Sequence, residues 1–443
     1  MHHVTNYKLI ADALAADVAA GRLRPGDQLP PQRAFAYKHG IAASTASRVY
    51  AELTKRGLTT GEVGRGTFVR MGPQPIHALA PDPVPETLDL EMNWGVVPEQ
   101  LDEMKACFAS LARNDAVAHA MRPVPVAASA AVREGAARVL ERGGWRPEPD
   151  SILFTGSGRQ ALAASMAAVA PPGHRLGVEA LTYPLVKGLA ARLGITLVPI
   201  AMDEDGLRPD ALMQAHRAMP LKGIYLKPDL QNPLGITMSA ARRADVAVAL
   251  NDCGIYAIEE GVYAFLCDEP PLLALDPART VLVGSASKII PLGYLVSPPD
   301  LKQAMAAAIR AGAWSASSVG VAMGLHFMRD GTAARIAQAR REDAARRQAL
   351  ASELLAGMTI RADPRAYHLW WELPDTWRAD AYVAAAARAR IAITAASAFA
   401  VGGGYAPNAV RLALAAPPLD MLAQALRTLR RLAEMGGNDP MMY

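Results

Sequence analysis

The stretch TVLVGSASKIIPLGYLV, residues 280–296, sets an amine where it can do chemistry. Val281, Leu282 and Val283 form an apolar, β-branched run that suits a buried strand. Gly284, Ser285, Ala286 and Ser287 follow, and residues this small let a ligand approach the backbone. Lys288 closes the run. Partial burial at such a strand end lowers an amine's pKa, so that more of it is the neutral nucleophile that captures an aldehyde. A Ser-Lys pair taken alone is ordinarily a surface charge, so the rest of the chain carries the weight.

Other groups fall at comparable places. TGSGRQAL sets Ser157, Gly158 and Arg159 between a strand and a helix, where backbone N–H groups suit a phosphate. Tyr183 stands in EALTYPL and Asn232 in QNPLG. Glu260 precedes Tyr263 by three positions in IEEGVY, and Arg411 lies in NAVRLALA. Read singly, these are turn residues, a core tyrosine, a solvated acidic turn and a strand arginine.

The elements that must position them alternate. Strand signals at 152–154, 176–178, 196–200, 223–226, 255–258 and 281–283 are separated by helical patterns at 160–169, 184–192 and 239–250. Helices between buried strands predict a three-layer α/β domain with a mostly parallel sheet. Its ligands lie beyond the carboxyl ends of the strands, and each candidate from Ser157 to Lys288 follows a strand. Residues 301–443 carry helical patterns at 301–328, 331–358, 381–389 and 419–434. Short strand signals at 360–373 and 391–401 complete a small α+β lobe.

The N-terminal seventy residues differ in kind. Leu9, Ile10, Ala13, Leu14 and Val18 fall at helical spacing, and Gly21 stops the helix. Pro30-Pro31 introduces a second helix that Gly40 breaks. Ser44 reads as the cap of a third, over 45–56, with Val49, Tyr50 and Leu53 inward. Residues 58–70 turn at Gly61, Gly64 and Gly66, as a two-stranded wing would. Three short helices and a wing are a DNA-binding shape: the third helix enters the major groove while Arg and Lys hold phosphates. The proline-rich MGPQPIHALAPDPVPETLDL then reads as a linker.

Composition bounds the rest. Of 443 residues, 51% are hydrophobic and 20% charged, which favours a folded protein with a large core. No uncharged apolar run is long enough to span a membrane, and MHHVTNYK is no signal peptide. Cys107, Cys253 and Cys267 lack metal-ligand spacing, so a cytoplasmic protein with reduced thiols and no metal is expected. The net charge of +4 says little alone, but the basic residues of the first seventy positions steer toward phosphate backbones.

GSASK, TGSGRQAL, QNPLG and the Glu260-x-x-Tyr263 spacing together resemble the fold-type I aminotransferase family. GRLRPGDQLPPQR, STASRVYAEL and GRGTFV resemble the winged helix-turn-helix of GntR-type regulators. The fusion is similar, over nearly the whole chain, to the MocR subfamily of bacterial transcriptional regulators. The resemblance implies a DNA-binding domain over 1–70, a linker over 71–88 and an aminotransferase-like domain over 89–443. That domain would have the α/β fold of pyridoxal-phosphate-dependent transferases, with a mostly parallel seven-stranded sheet. Its large part would span about 115–325 and its small α+β part about 326–443.

The same resemblance implies pyridoxal 5′-phosphate as cofactor and Lys288 as the catalytic residue that forms a Schiff base with it. Ser157, Gly158 and Ser285 would meet the phosphate, Tyr183 would cover the ring, and Asn232 and Tyr263 would face its phenolic oxygen. Glu260 would meet the ring nitrogen, where the family carries aspartate, and Arg411 would clamp a substrate carboxylate. On the DNA side it implies contacts from Arg33 and Arg48. Ser44, Thr45 and Ser47 would lie near the groove, with Arg65 and Gly66 at the wing tip. Two features depart from the family: no tyrosine lies near Pro123, and SKIIPLGYL lacks the arginine that follows the lysine. Arg159 is expected to reach the phosphate in that arginine's place. The implied function is a homodimeric regulator that binds a double-stranded DNA operator and senses an amine, an amino acid or a B6 vitamer. Two other readings stay open: an active aminotransferase, and a cofactor-free regulator that uses the fold as an interaction platform.

Overall fold

The computed structural model describes residues 7–19, 22–23, 27–55, 58–62, 66–69, 87–112, 122–285, 292–329, 331–402 and 406–436. Two compact units divide the chain between Pro81 and Asp82.

In the first unit, helices Tyr7–Ala19, Gln32–His39 and Ala43–Lys55 accompany a three-stranded antiparallel sheet. Strand Gly66–Val69 lies between Thr59–Glu62 and a two-residue strand, Gln28–Leu29, too short to leave a sequence signal. Ala11, Leu29, Phe35, Ala36, Ala46, Val49, Tyr50, Leu53 and Val69 form the core. Gly40 ends the second helix in the left-handed conformation, φ 60°, with its amide turned back to the Ala36 and Tyr37 carbonyls. The third helix begins earlier than its spacing predicts. Its first turn closes on the Ala42 carbonyl, which accepts the Thr45 and Ala46 amides at 2.9 and 3.1 Å. Ser44 is therefore inside the first turn and is not the cap.

The second unit is built on a seven-stranded sheet in the order 152–155, 293–296, 280–285, 256–260, 223–226, 175–179, 196–200. Only Gly293–Val296 runs against its neighbours. Its strands are apolar on both faces, and the helices on either side explain why: Gly158–Val169 is buried along most of its length on one face, while Ala240–Cys253 packs on the other. A helix at Pro209–Ala218 joins the predicted set. Residues 301–328 form two helices, Lys302–Ala311 and Ser318–Arg329. Leu88–Asp89 pairs in parallel with Ile391–Ala392.

A second, four-stranded antiparallel sheet orders Thr359–Ala362, His368–Glu372, Ala409–Ala413 and Thr394–Ala395. Its core includes Trp371, Tyr382, Leu412 and Leu426, covered by the helices Thr332–Leu354, Ala379–Arg388 and Leu419–Met435. Arg411 sits on an inner strand of this sheet, buried at 6% exposure. Among the described residues no helix is long and apolar enough to cross a membrane.

Candidate functional site

The turn after strand Ile152–Thr155 lies directly on two neighbouring strand ends. Ser157 caps the helix Gly158–Val169, its hydroxyl accepting the Gln160 amide at 3.3 Å. Thr155 braces the turn by donating from Oγ1 to the Ser157 carbonyl at 2.9 Å. A Cβ on Gly158 would stand 2.7 Å from Cβ of Ser285, and one on Gly293 would stand 2.2 Å from the Ser157 carbonyl carbon. The two glycines let a helix start, a strand end and Ser285 occupy one small volume. Lys288 lies outside the described residues, as does Arg65.

Glu260 and Glu259 end the central strand and part company through the strand's alternation. Glu259 is fully buried and accepts the Leu272 and Leu273 amides, each at 3.0 Å, a structural role. Glu260 accepts the hydroxyl of Tyr225 from the adjacent strand. Lys227, two residues beyond Tyr225, is buried, and its Nζ stands 4.3 Å from the centroid of the Tyr263 ring. Burial lowers the Lys227 amine from its ordinary range, while Glu260, Asp229 and Glu179 act to raise it. Burial also pushes the Glu179 carboxyl up to about 8. Asp229 is different. Burial alone would raise it, but Arg142 at 2.7 Å and Arg243 at 2.5 Å hold it below the ordinary carboxylate range.

The aromatic candidates converge on the same region. Burial raises the Tyr183 hydroxyl, which also feels Arg159, Glu260 and Arg411, with Arg159 acting to lower it. Arg159 itself is exposed. Burial raises the Tyr263 hydroxyl, which also feels Arg411, the Asn93 side chain, Tyr183 and Glu260. His368, from the smaller sheet, stacks on Tyr263 with centroids 5.8 Å apart and bonds through Nε2 to the Gln231 carbonyl at 3.0 Å. Arg411 donates from Nη2 to the Glu91 carbonyl at 2.6 Å and to Thr394 Oγ1 at 3.2 Å, with Phe399 packed 5.3 Å from its guanidinium carbon. Its Nε has no protein partner, and neither has Oδ1 of the buried Asn232.

Asn93, Glu179, Tyr225, Lys227 and His368 join the expected set here. A charged residue ending an apolar strand, as in RLGVE and GIYLK, is the signal that marks two of them. A further group, Asp229, Cys267 and Glu269, gathers ligand-type atoms within 4.8 Å of one another, but both carboxylates are already ion-paired, Asp229 as above and Glu269 to Arg365 at 2.8 Å.

On the first unit's third helix, Ser44, Ser47 and Arg48 are exposed at i, i+3 and i+4, and so share one face. Ala46, Val49, Tyr50 and Leu53 face inward. Thr45 is half-buried, Arg33 is exposed on the second helix, and Gly66 pairs with Glu62 at the start of the last strand.

Comparison with known proteins agrees with both units. The family described as aminotransferase class I and II matches residues 111–429, and the gntR family of bacterial regulatory proteins matches residues 6–69. The uncharacterized HTH-type transcriptional regulator YdeF of Bacillus subtilis is 29% identical over 437 residues, spanning 97% of this chain and 94% of its own. The HTH-type pyridoxine biosynthesis transcriptional regulator PdxR of Corynebacterium glutamicum is 28% identical over 65% of each chain. Among solved structures, an archaeal alanine:glyoxylate aminotransferase superposes with a TM-score of 0.71 at 18% identity, covering 92% of this chain and 96% of its own. The chain belongs to the aminotransferase class I and II family, and it is a DNA-binding regulator of the GntR/MocR type, with a winged helix-turn-helix followed by a fold-type I aminotransferase-like domain.

Proposed function

We propose that the aminotransferase-like unit binds pyridoxal 5′-phosphate and reports an amine, an amino acid or a B6 vitamer to the DNA-binding unit. The observation that carries this reading is the meeting of Tyr183, Glu260, Tyr263 and Arg411 in one electrostatic neighbourhood, beside a helix start packed on Ser285. The donor set fits the cofactor. Asn232 Oδ1 and Arg411 Nε are buried without protein partners, and a ligand with an amide-sized polar edge and a carboxylate would satisfy such atoms. The glycine at 158 leaves a cradle that a Cβ would fill. Bound there, pyridoxal phosphate supplies an aldehyde for amines and an electron-poor ring.

The residues divide the work. With the Gln160 amide taken by Ser157, the Gly158 and Arg159 amides at the helix start are the donors for a phosphate, with Ser285 alongside. Arg159, whose charge acts on the Tyr183 hydroxyl, stands in the same turn and would link it to the ring that covers the ligand. Tyr183 and Tyr263 exclude water, and the guanidinium of Arg411 takes a carboxylate in a fork. Lys288 supplies the amine. Ser44, Ser47 and Arg48 enter the groove, with Arg33 on the phosphates. A PdxR relative named for pyridoxine biosynthesis regulation supports a B6 vitamer as one effector. The regulator acts as a homodimer, which light scattering of the full chain would test.

The direct test is an absorbance spectrum of the purified full-length protein with added pyridoxal phosphate, followed by borohydride reduction and peptide mapping. A stable adduct at Lys288 is expected. A colourless protein without an adduct would leave only the DNA-binding half of the reading.

A further inference from the structure

Tyr225 and Glu260 come from adjacent parallel strands and meet across one face of the sheet. The register pairs Tyr225 with Ile258, and Glu260 lies two residues beyond Ile258, so all three side chains share that face. It is the face on which the helix Gly158–Val169 packs: Tyr225 and Ile258 belong to one core with Ala161 and Leu162, and the Tyr183 ring packs against it. Glu260 therefore ends its strand on the side of the helix start, while Glu259 turns to the Leu272 and Leu273 amides on the other. The Tyr225 side chain is fully buried, and its hydroxyl donates to Oε2 of Glu260. A buried phenol needs an acceptor, and an ionised carboxylate makes the short, strong bond of a charged one. Glu260 itself is half-buried at the strand end, on a long side chain with several torsions to fix. The bond to Oε2 fixes the carboxylate and leaves Oε1 for a ligand.

We propose that Tyr225 is a positioning residue: from the neighbouring strand it holds Glu260 so that the other carboxylate oxygen meets the nitrogen of a bound pyridine ring and keeps a proton there. This rests on the reading of the pocket as a pyridoxal-phosphate site. The phenol anchors the carboxylate without cancelling its charge, because the donor is neutral, so the attraction for a protonated ring remains. Without the hydroxyl the carboxylate turns freely, and having lost a hydrogen bond to its charged form it becomes the stronger base. Both changes draw the proton off the ring.

The test loads the full-length protein with pyridoxal 5′-phosphate labelled with nitrogen-15 in the ring and reads the nitrogen resonance. Wild type is expected at the position of a pyridinium, and Tyr225→Phe displaced downfield toward that of an unprotonated pyridine. In a Glu260→Asp background, where the carboxylate ends a methylene short of the hydroxyl, Tyr225→Phe should move the resonance far less. An unprotonated ring in wild type, the same resonance in wild type and Tyr225→Phe, or an equal displacement in both backgrounds overturns the inference and leaves cofactor binding standing. Absence of bound cofactor in the absorbance spectrum of the wild type removes the underlying reading and this inference with it. Should Tyr225→Phe not fold, 4-fluorophenylalanine at position 225, which fills the hydroxyl's space with no proton to donate, takes its place with the same outcomes.

Discussion

Gln231 donates from Nε2 to Oε2 of Glu179 at 3.2 Å, and from the same nitrogen to the Leu181 carbonyl at 2.7 Å. One glutamine thus anchors the QNPLG loop to a buried carboxyl at the end of another strand. The other oxygen of Glu179 has no partner, and burial pushes the carboxyl up to about 8. The unfolded chain releases this proton near the ordinary carboxyl value, about 4.3. Between these values the folded state binds more protons than the unfolded, so stability falls as pH rises from 4.3 toward 8. Glu179→Gln keeps an oxygen to accept from Gln231 and removes the titration. Its stability should match wild type near pH 4 and exceed it by roughly 2–5 kcal/mol above pH 8. Urea unfolding of both proteins across that range measures it, and parallel curves would contradict the assignment.

Gly293 faces the turn that holds the helix start. A Cβ there would stand 2.2 Å from the Ser157 carbonyl carbon and 2.4 Å from Thr155 Oγ1. The first of these is backbone, and backbone cannot swing aside as a side-chain end does. Gly293→Ala should therefore cost about 3 kcal/mol, at the upper end of the range for overpacked cores. It should also weaken pyridoxal-phosphate binding, because the turn moves away from Ser285. Denaturant unfolding and a cofactor titration read the two effects, and a wild-type titration would separate the turn from the binding site.

Much of this architecture was legible in the chain because its strands are buried on both faces. Ile152–Thr155, Gly223–Leu226 and Thr280–Ser285 are buried at every position, and a continuous apolar run leaves the same mark in any sequence. Gln28–Leu29 left no such mark, since two residues carry no period. The third helix shows a different limit. Its inward face was legible from Val49, Tyr50 and Leu53, but its start depends on a carbonyl at Ala42 that no side chain advertises. In the site, Glu259 and Glu260 look equivalent as letters; only the strand's orientation sends one to the Leu272 and Leu273 amides and the other to Tyr225. Lys227 is set beside Glu260 only by the parallel register, whose partners lie 33 positions apart in the chain.

Arg48 stands on the exposed face of the third helix with Ser44 and Ser47, while its neighbour Val49 is fully buried. Arg48→Ala should leave the melting temperature unchanged, because the side chain packs on nothing in the core. It should weaken operator binding and lower the slope of log affinity against log salt by about 1 if it contacts one phosphate. Val49→Ala should do the reverse in kind, costing about 1–2 kcal/mol of stability through lost burial and a cavity. Fluorescence anisotropy at several salt concentrations separates the two, and an unchanged salt slope with a changed sequence preference would mean that Arg48 reads a base.

Arg411 is held on three sides: Nη2 by the Glu91 carbonyl and Thr394, and the guanidinium face by Phe399 at 5.3 Å. Its Nε is buried without a partner. A side chain fixed this firmly loses little entropy when it takes a carboxylate, and its planar fork can make two parallel bonds where an ammonium makes one. Arg411→Lys keeps the charge and loses the fork. Affinity for an amino acid should fall at least tenfold, about 1.4 kcal/mol, while affinity for a simple primary amine that lacks the carboxylate should stay near wild type. The cofactor's absorbance change on adding each compound reports both. Equal losses for the two compounds would mean that Arg411 supports the pocket as a whole and does not select carboxylates.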